Sequence, residues 1–353
     1  MARIIFRLTV LKNKENNNVN MSSSLREIAE RSGYSINTVS RALRDEDDVK
    51  PETKAAIKAI AQELRYVPNY VASSLRLGMT NTIGVVSADS TNPFFAEVIT
   101  GIESAAYGRN YHILLANTDQ DPERELEAMD VLVGRQVDGL LIMPVCGEGN
   151  NSEYLKALSI PYVLVGRWLP DLEDHAVLSD EYEKAKEITA LFIKNGHRDI
   201  LHLSGPASVS SSLDRERGYK DALAEAGIPL REKLIVRTDG HTEDGHREIN
   251  SIIRQELPFT AVFAFNDLVA IGVLRALKEG GLRVPKDVEV MGYDDLDFSR
   301  YLQLSLSSVS IPKQRLGRES FEELYKHMKS ADVPYNRLML ESRIILRETT
   351  LFE

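Results

Sequence analysis

Polar side chains that could bind a small molecule stand at the ends of short apolar runs in this 353-residue sequence. Asn92 follows TIGVVSA, Arg167 ends YVLVGR, Asn266 and Asp267 end AVFAFND, and Asp294 lies in VEVMGYDD. If these runs are parallel strands, their carboxyl ends share one sheet edge, where open α/β sheets bind ligands. The pattern predicts a binding site built from amide, guanidinium and carboxylate groups.

Motifs for catalysis, cofactors and metals are incomplete. GEGNNS at 147–152 lacks the third glycine of a dinucleotide loop, and GHTEDGHR at 240–247 has histidine where a phosphate-binding loop requires lysine. The pairs His197/His202 and His241/His246 come without a carboxylate or thiol ligand set at metal spacing. The sequence therefore predicts no enzyme, no cofactor and no metal, and we interpret Cys146 as an inert buried thiol.

The elements that must position the polar residues alternate along the chain. From residue 82, apolar runs of strand length alternate with helical stretches, and the pattern restarts after residue 180. This predicts an α/β fold with a parallel sheet in each of two similar halves and a cleft between them. The predicted strands are TIGVVSA, YHILLAN, GLLIMPV, YVLVGR, DILHLSG, KLIVRTD, AVFAFND and VEVMGYDD.

A small helical unit precedes the two halves. Ser24 and Ser35 are each followed by helical apolar spacing, and Pro51 stands at the first-turn position of a third helix. Gly33 separates the first two helices, as in a helix-turn-helix, although spacing alone fits a generic helical hairpin as well. We interpret DEDD at 45–48 as a solvated loop that would repel phosphate if it faced DNA.

Bulk composition fits an intracellular globular protein. The chain is 43% hydrophobic, has a net charge of −10 and contains one cysteine. With one cysteine it cannot form an intrachain disulfide, and its sequence contains no apolar run of membrane-spanning length. We therefore expect a cytoplasmic protein with no membrane partner. The acidity limits nucleic-acid contact to a local surface. Residues 1–21 are predicted to be a flexible tail or the product of a misassigned start, because Met21 just precedes the first helix signal.

A series of motifs runs from about residue 22 to the end of the sequence. In order they are LREIAERSGYSINTVSRAL, RYVPNYVASSLRLGMTNTIGVV, NPFF, DGLL, NGHR, RERGY, FND, GLRVP and GYDD. Together they resemble the repressors of the LacI type. The resemblance implies a helix-turn-helix domain at 22–68, a hinge helix and linker at 69–81, and a two-lobed Rossmann-like body of the periplasmic-binding-protein type at 82–353. Lobe 1 would comprise about 82–180 plus 312–340, and lobe 2 about 181–311 plus 341–353.

The resemblance assigns the second helix of the helix-turn-helix domain to the DNA major groove. Ile36, Asn37 and Arg41 would face base edges, where isoleucine contacts a thymine methyl, asparagine pairs with adenine and arginine with guanine. Thr38 is expected to bind phosphate, which positions the protein without reading sequence. Leu75 would enter the minor groove between base pairs as part of the hinge helix.

The resemblance also implies an effector site between the lobes. The side chains that the resemblance places there suit a sugar, because charged and amide groups bond adjacent hydroxyls while an aromatic face covers the ring. A purine remains the alternative, and Trp168 could instead pack the lobes together. Gly166 departs from relatives that have aspartate before the arginine, so one hydroxyl contact is expected to be absent or moved. The implied residues are Asn92, Phe94, Arg167, Trp168, Arg215, Asn266 and Asp294.

The mechanism implied is that of an allosteric repressor. A homodimer would occupy a pseudo-palindromic operator, and the ligand would alter operator affinity by changing the angle between the lobes. The sequence leaves open whether the ligand releases or tightens DNA binding. The rival interpretations are a sugar-binding protein without a DNA function and, less compatible with the motifs, an enzyme.

Overall fold

A computed structural model describes residues 24–67, 79–147, 151–330 and 332–351. The chain divides into two compact units between residues 78 and 79. The expected tail at 1–21, most of the expected hinge and the wedge residue Leu75 lie outside the described residues.

Over its described residues, 24–67, the first unit folds into three helices whose starts follow from its sequence. Helices α1, α2 and α3 span Leu25–Ser32, Ile36–Leu43 and Pro51–Glu63. The Ser24 and Ser35 hydroxyls accept hydrogen bonds from backbone amides three residues later, at 3.2 and 3.1 Å. Gly33 ends α1 with a φ of 73°, a left-handed conformation that glycine adopts at little cost.

The core of this domain uses the apolar positions that helical spacing predicts. Each helix contributes fully buried side chains, including Ile28, Val39 and Ile57. Val49 from the loop before α3 and Tyr66 after it complete the cluster. Both lie outside the helical periodicity, so the sequence pattern did not indicate them.

The second unit contains two parallel sheets. The first has the strand order β11-β5-β4-β3-β1-β2, and the second has the order β7-β6-β8-β9. The expected α/β fold class is therefore confirmed. The first-sheet strands are β1 Thr82–Ser87, β2 His112–Asn117, β3 Leu140–Ile142, β4 Tyr162–Val165, β5 Ala176–Ser179 and β11 Leu338–Leu340; the second-sheet strands are β6 Ile200–Ser204, β7 Ile235–Arg237, β8 Ala261–Ala264 and β9 Glu289–Met291.

Helices cover these sheets and define two lobes. The second lobe also holds the antiparallel pair β10 Ser308–Ser310 and β12 Arg343–Ile345. Three short 3₁₀ turns span Glu173–His175, Glu232–Leu234 and Asp297–Tyr301. The helices of the first lobe are α4 Pro93–Gly108, α5 Pro122–Gly134, α6 Ser152–Lys156 and α11 Lys313–Lys329; those of the second are α7 Glu181–Lys194, α8 Ser210–Glu225, α9 Thr242–Arg254 and α10 Asp267–Glu279.

Paired helices within each lobe approach closely at glycine. A Cβ on Gly272 of α10 would collide with the Thr242 carbonyl oxygen, and one on Gly245 of α9 would collide with that of Val269. Gly101 of α4 and Gly317 of α11 meet each other's helix backbones in the same way. These crossings bring the helix backbones nearer than alanine would allow, because only glycine lacks the clashing atom.

The chain passes between the lobes three times. The first passage joins β5 to α7, the second joins β10 to α11, and the third joins β11 to β12. The first and third passages are bonded to each other, because the Asp180 carboxylate accepts from the Ser342 amide at 2.8 Å and the Asp180 amide donates to the Leu340 carbonyl at 3.2 Å. Residues just after a passage, such as Glu181 and Lys313, thus lie where the lobes meet. Across the described helices, none combines the length and apolarity of a membrane span.

Candidate functional site

A cavity lies between the lobes at the carboxyl ends of the strands. It is lined from both sides by polar and aromatic groups, as the sequence predicts. Six of the seven expected effector residues line it, and Trp168 is the exception. The six are Asn92, Phe94, Arg167, Arg215, Asn266 and Asp294.

Arg215, from α8, is the most heavily bonded side chain of the cavity. Its Nε donates to the Glu181 carboxylate at 2.6 Å, and another of its nitrogens bonds the Phe265 carbonyl. The guanidinium carbon lies 3.6 Å from the ring centroid of Tyr293. Burial lowers the pKa of Arg215, but Glu181, Tyr293 and Asp294 outweigh burial and raise it. Arg215 is therefore a permanent buried cation.

Asp294 faces Arg215 from the loop after β9. Its carboxylate lies 3.6 Å from an Arg215 nitrogen, and burial raises its pKa to about 8 although Arg215 and Lys313 oppose this. Asp294 and Asp295 have φ angles of 99° and 49°, so this turn is left-handed. The Lys313 ammonium, which also lies 3.3 Å from the Glu97 carboxylate, donates to both of their carbonyls at 2.7 Å. A first-lobe lysine thus holds the turn that presents a second-lobe carboxyl.

The two asparagines of the cavity also begin helices. The Asn92 side-chain oxygen accepts from the Phe94 amide at 3.0 Å and caps α4. The Asn266 oxygen accepts from the Val269 amide at 2.8 Å, and its amide group donates to the Gly240 carbonyl at 3.0 Å. Both side chains are therefore fixed before any ligand arrives, which limits the entropy cost of binding.

Arg167 lies two residues after the end of β4, on the first-lobe side. Its Nη1 donates to the Gln120 side chain and to the Pro144 carbonyl, each at 3.0 Å, while burial lowers its pKa. Gly166 before it has a φ of 69°, a conformation that disfavours other residue types. At Gly166 the first lobe therefore presents only backbone to the cavity. This is the position where we expected one contact to a ligand hydroxyl to be absent or moved.

Trp168 joins the lobes rather than lining the cavity. Its indole N–H donates to the Asp214 carboxylate at 2.9 Å, and its backbone amide donates to the Ser210 hydroxyl at 3.0 Å. Both partners belong to α8 of the second lobe. This geometry corresponds to the lobe-packing alternative that the sequence left open.

Sequence reasoning missed several lining residues. Glu181, the partner of Arg215, follows β5, a four-residue strand that the sequence pattern did not indicate. The polar pair at 180–181 directly after the apolar AVLS was the signal that could have found it. The other missed polar residues of the lining are Gln120, Ser211, Asp239 and His241.

One histidine of each pair makes an ordinary structural contact, whereas His241 lines the cavity. His202 is buried between the rings of Tyr219 and Phe263, and burial lowers its pKa to about 4. His246 bonds Glu279 at 2.7 Å. Within residues 24–67, 79–147, 151–330 and 332–351, no three histidine, cysteine, aspartate or glutamate side chains gather as metal ligands would.

The expected DNA-reading residues share the start of α2. Ile36 is 49% exposed, which is unusual for an isoleucine, and Asn37 beside it is also exposed. The Thr38 hydroxyl lies 2.9 Å from that of Ser35. Arg41, one turn further along, is bonded to the acidic loop, here defined as Asp45–Asp48.

Comparisons with known proteins agree with this architecture. Residues 24–69 match the family described as "Bacterial regulatory proteins, lacI family", and residues 80–343 match "Periplasmic binding proteins and sugar binding domain of LacI family". The ribose operon repressor of Haemophilus influenzae is 35% identical over 93% of this chain and 98% of its own length. The repressor PurR of Actinobacillus pleuropneumoniae is 31% identical over the same shares.

Solved structures show the same fold. The Lac repressor dimer bound to operator and the anti-inducer ONPF has a TM-score of 0.84 at 26% identity, covering 94% of this chain and 99% of that one. The regulator CelR in complex with cellobiose has a TM-score of 0.72 at 29% identity, covering 93% and 99%.

A helix-turn-helix unit together with a two-lobed body and an interlobe cavity defines a ligand-controlled DNA-binding regulator. This chain belongs to the LacI family of bacterial transcriptional repressors. The expectation of a repressor that binds operator DNA and a small-molecule effector is confirmed at this level.

Proposed function

We propose that this chain is a cytoplasmic homodimeric repressor that binds a sugar between its lobes without converting it. In this proposal Ile36, Asn37 and Arg41 read bases of a pseudo-palindromic operator, and Thr38 binds phosphate. Leu75 is proposed as the minor-groove wedge. The effector residues are the six that line the cavity.

The observation that carries the sugar proposal is the chemistry of the cavity lining. Buried Arg215 and Asp294 face the cavity together with the fixed amide of Asn266, which offers donors and acceptors to neighbouring hydroxyls. Phe94 and Phe265 add apolar surface for a ring face. A ribose operon repressor among the relatives and the cellobiose complex among the structures support the same ligand class.

A purine effector is the second candidate, supported by the relatives named PurR. In this chain Trp168 and Arg215 are the residues that could bind a purine. The bond from the indole to Asp214 takes that ring out of the cavity lining, which favours the sugar.

One series of experiments can test both the class of the ligand and whether the ligand weakens or strengthens operator binding. Thermal shift of the intact protein with ribose, cellobiose and purine bases should give stabilisation by a sugar, because ligand that binds only the folded state raises its stability. Each hit is then added to the protein on an operator selected from random duplexes. A response to purines alone would refute the sugar proposal, and turnover of the bound compound would refute the non-enzymatic one.

Asp294→Asn tests the cavity with little expected effect on folding. Since the pKa of Asp294 is raised to about 8, the carboxyl is mainly protonated at pH 7 and asparagine resembles that form. We expect ligand stabilisation measured at pH 9, where the wild-type carboxyl is mainly ionised, to fall, while the melting temperature without ligand at pH 7 stays within about 2 °C. Asp295→Asn is the matched control, because Asp295 bonds Arg347 at 2.7 Å and does not line the cavity. Equal loss of ligand response in both variants would remove Asp294 from the site.

The dimer proposal rests on an apolar edge of the first sheet. Leu115 on edge strand β2 is 50% exposed and Val131 on α5 is 51% exposed, and both line one surface groove. A second copy of the chain is the occupant we propose, as in the Lac repressor dimer. Leu115→Lys should shift the protein toward monomer in sedimentation analysis. Met339→Lys, at 45% exposure on the opposite edge strand β11, should not.

A further inference from the structure

The acidic loop folds back onto Arg41 of α2 and onto Arg44, the C-cap residue of this helix. One Glu46 carboxylate oxygen accepts from Arg41 Nε at 2.8 Å, and the other accepts from Arg44 Nε at 2.8 Å and from its Nη2 at 2.6 Å. Asp48 pairs with Nη2 of Arg41. The loop is itself tied to α3, because Lys54 donates to the Asp45 carbonyl at 2.9 Å.

The loop occupies two of the guanidinium donors with which Arg41 could read a base. Nε and Nη2 form one edge of the Arg41 guanidinium, and Glu46 and Asp48 each take one of them. A guanine is recognised when two guanidinium donors bond its O6 and N7 together. A guanine and the acidic loop therefore cannot hold this edge of Arg41 at the same time.

We propose that Glu46 and Asp48 are specificity-determining residues that compete with DNA for Arg41, a proposal that rests on the base-reading role proposed above for Arg41. On a non-matching site Arg41 keeps its carboxylate partners and adds nothing to binding. On a matching site the two guanine acceptors replace both bonds. Because non-specific binding is largely electrostatic, withdrawing a cation from it weakens non-specific more than specific binding.

These ion pairs are weak enough for Arg41 to exchange its carboxylate partners for a DNA base. The side chains of Arg41, Glu46 and Asp48 are 38%, 37% and 48% exposed, and exposed pairs contribute little to folding stability. The apolar core of the helix-turn-helix domain is made by other residues, so the loop contacts are not needed to hold the helices together. Arg44 and then Arg41 lower the pKa of Glu46, which keeps this competitor ionised at neutral pH.

The test uses the full-length protein with two duplexes, one selected from a random pool by the wild-type protein and one with the same bases scrambled. We expect the double variant Glu46→Gln/Asp48→Asn to bind the scrambled duplex about fivefold more tightly. Its affinity for the selected duplex should rise less, so the ratio of the two affinities falls. An unchanged ratio would overturn the proposal.

Two comparisons separate competition from general electrostatics. Glu27→Gln/Glu30→Gln removes the same charge from the same unit, where these residues pair with Arg31 and Arg26, and should leave the ratio unchanged. In an Arg41→Ala background the effect of Glu46→Gln/Asp48→Asn should shrink to the part that comes from Arg44, which Glu46 also holds; an equal gain there would refute competition for Arg41.

The outcomes also distinguish the two proposals. If Arg41→Ala alone leaves the affinity ratio of the wild type intact, the base-reading role fails. If Arg41→Ala lowers the ratio while Glu46→Gln/Asp48→Asn behaves as wild type, only the competitor role fails.

Discussion

Replacing Arg215 with methionine should expose how the cavity is held together. The change keeps an unbranched apolar stem but removes the cation that lies 2.6 Å from Glu181 and 3.6 Å from Asp294. All three side chains are at most 7% exposed, so Glu181 would lose its buried cation and Asp294 would retain Lys313 as an opposing charge. Removing one partner of a buried pair costs about 3–5 kcal/mol of unfolding free energy. We expect a loss in this range at pH 8.

The loss should depend on pH with a definite sign. Without Arg215, ionised carboxyls are disfavoured in the folded state relative to the unfolded chain, so the folded state binds protons more readily. The penalty is then largest at high pH and is relieved as the carboxyls become protonated. The variant should recover part of the loss between pH 8 and pH 5.

The assay is urea unfolding followed by the fluorescence of Trp168, the single tryptophan of the chain. Arg217→Met is the matched control, because Arg217 is 61% exposed and its pair with Asp214 should cost at most about 1 kcal/mol. Equal losses for the two variants, or a loss for Arg215→Met that is the same at pH 5 and pH 8, would refute the reasoning.

Three further predictions concern the body of the protein. His202→Phe should make unfolding free energy less sensitive to acid: the folded-state pKa of about 4 means that the wild type loses stability as pH falls from about 6.5 to 4, on the order of 3 kcal/mol, and equal pH profiles in urea unfolding would contradict this. Gly272→Ala should lower unfolding free energy by at least about 1–3 kcal/mol, because α9 and α10 must separate; an unchanged denaturation midpoint would contradict the close crossing. Trp168→Phe should cost about 1 kcal/mol through the lost bond to Asp214, measured by urea unfolding followed by circular dichroism, and no loss would argue against that interlobe contact.

Local sequence signals were sufficient for much of this fold and for part of the site. Helices begin at Ser24, Ser35 and Pro51 because the chemistry that starts a helix is local. A buried strand such as β1 is predicted by a continuous apolar run. Polar residues that directly follow such strands must lie at one sheet edge. This is why Asn92, Arg167, Asn266 and Asp294 could be named from the strand ends, whereas Phe94 and Arg215 followed from the family resemblance.

Short secondary-structure elements and contacts between distant residues could not be predicted from the sequence. Strand β11 spans three residues, Leu338–Leu340, too few for a periodic pattern, and it joins its sheet only because the chain returns to β5. Glu181 and Arg215 are 34 residues apart, so their pairing depends on how α7 and α8 pack. Nothing local indicates such a contact.

By itself the sequence determined the helix starts, the alternation of strands and helices, and the polar residues at the strand ends, because each depends on neighbours along the chain. Only the tertiary structure decided that Trp168 bonds the opposite lobe, that Glu181 neutralises Arg215, and that the acidic loop holds Arg41. These three outcomes depend on which side chains meet once the backbone has folded, and the nearest available charge or acceptor then determines each partner.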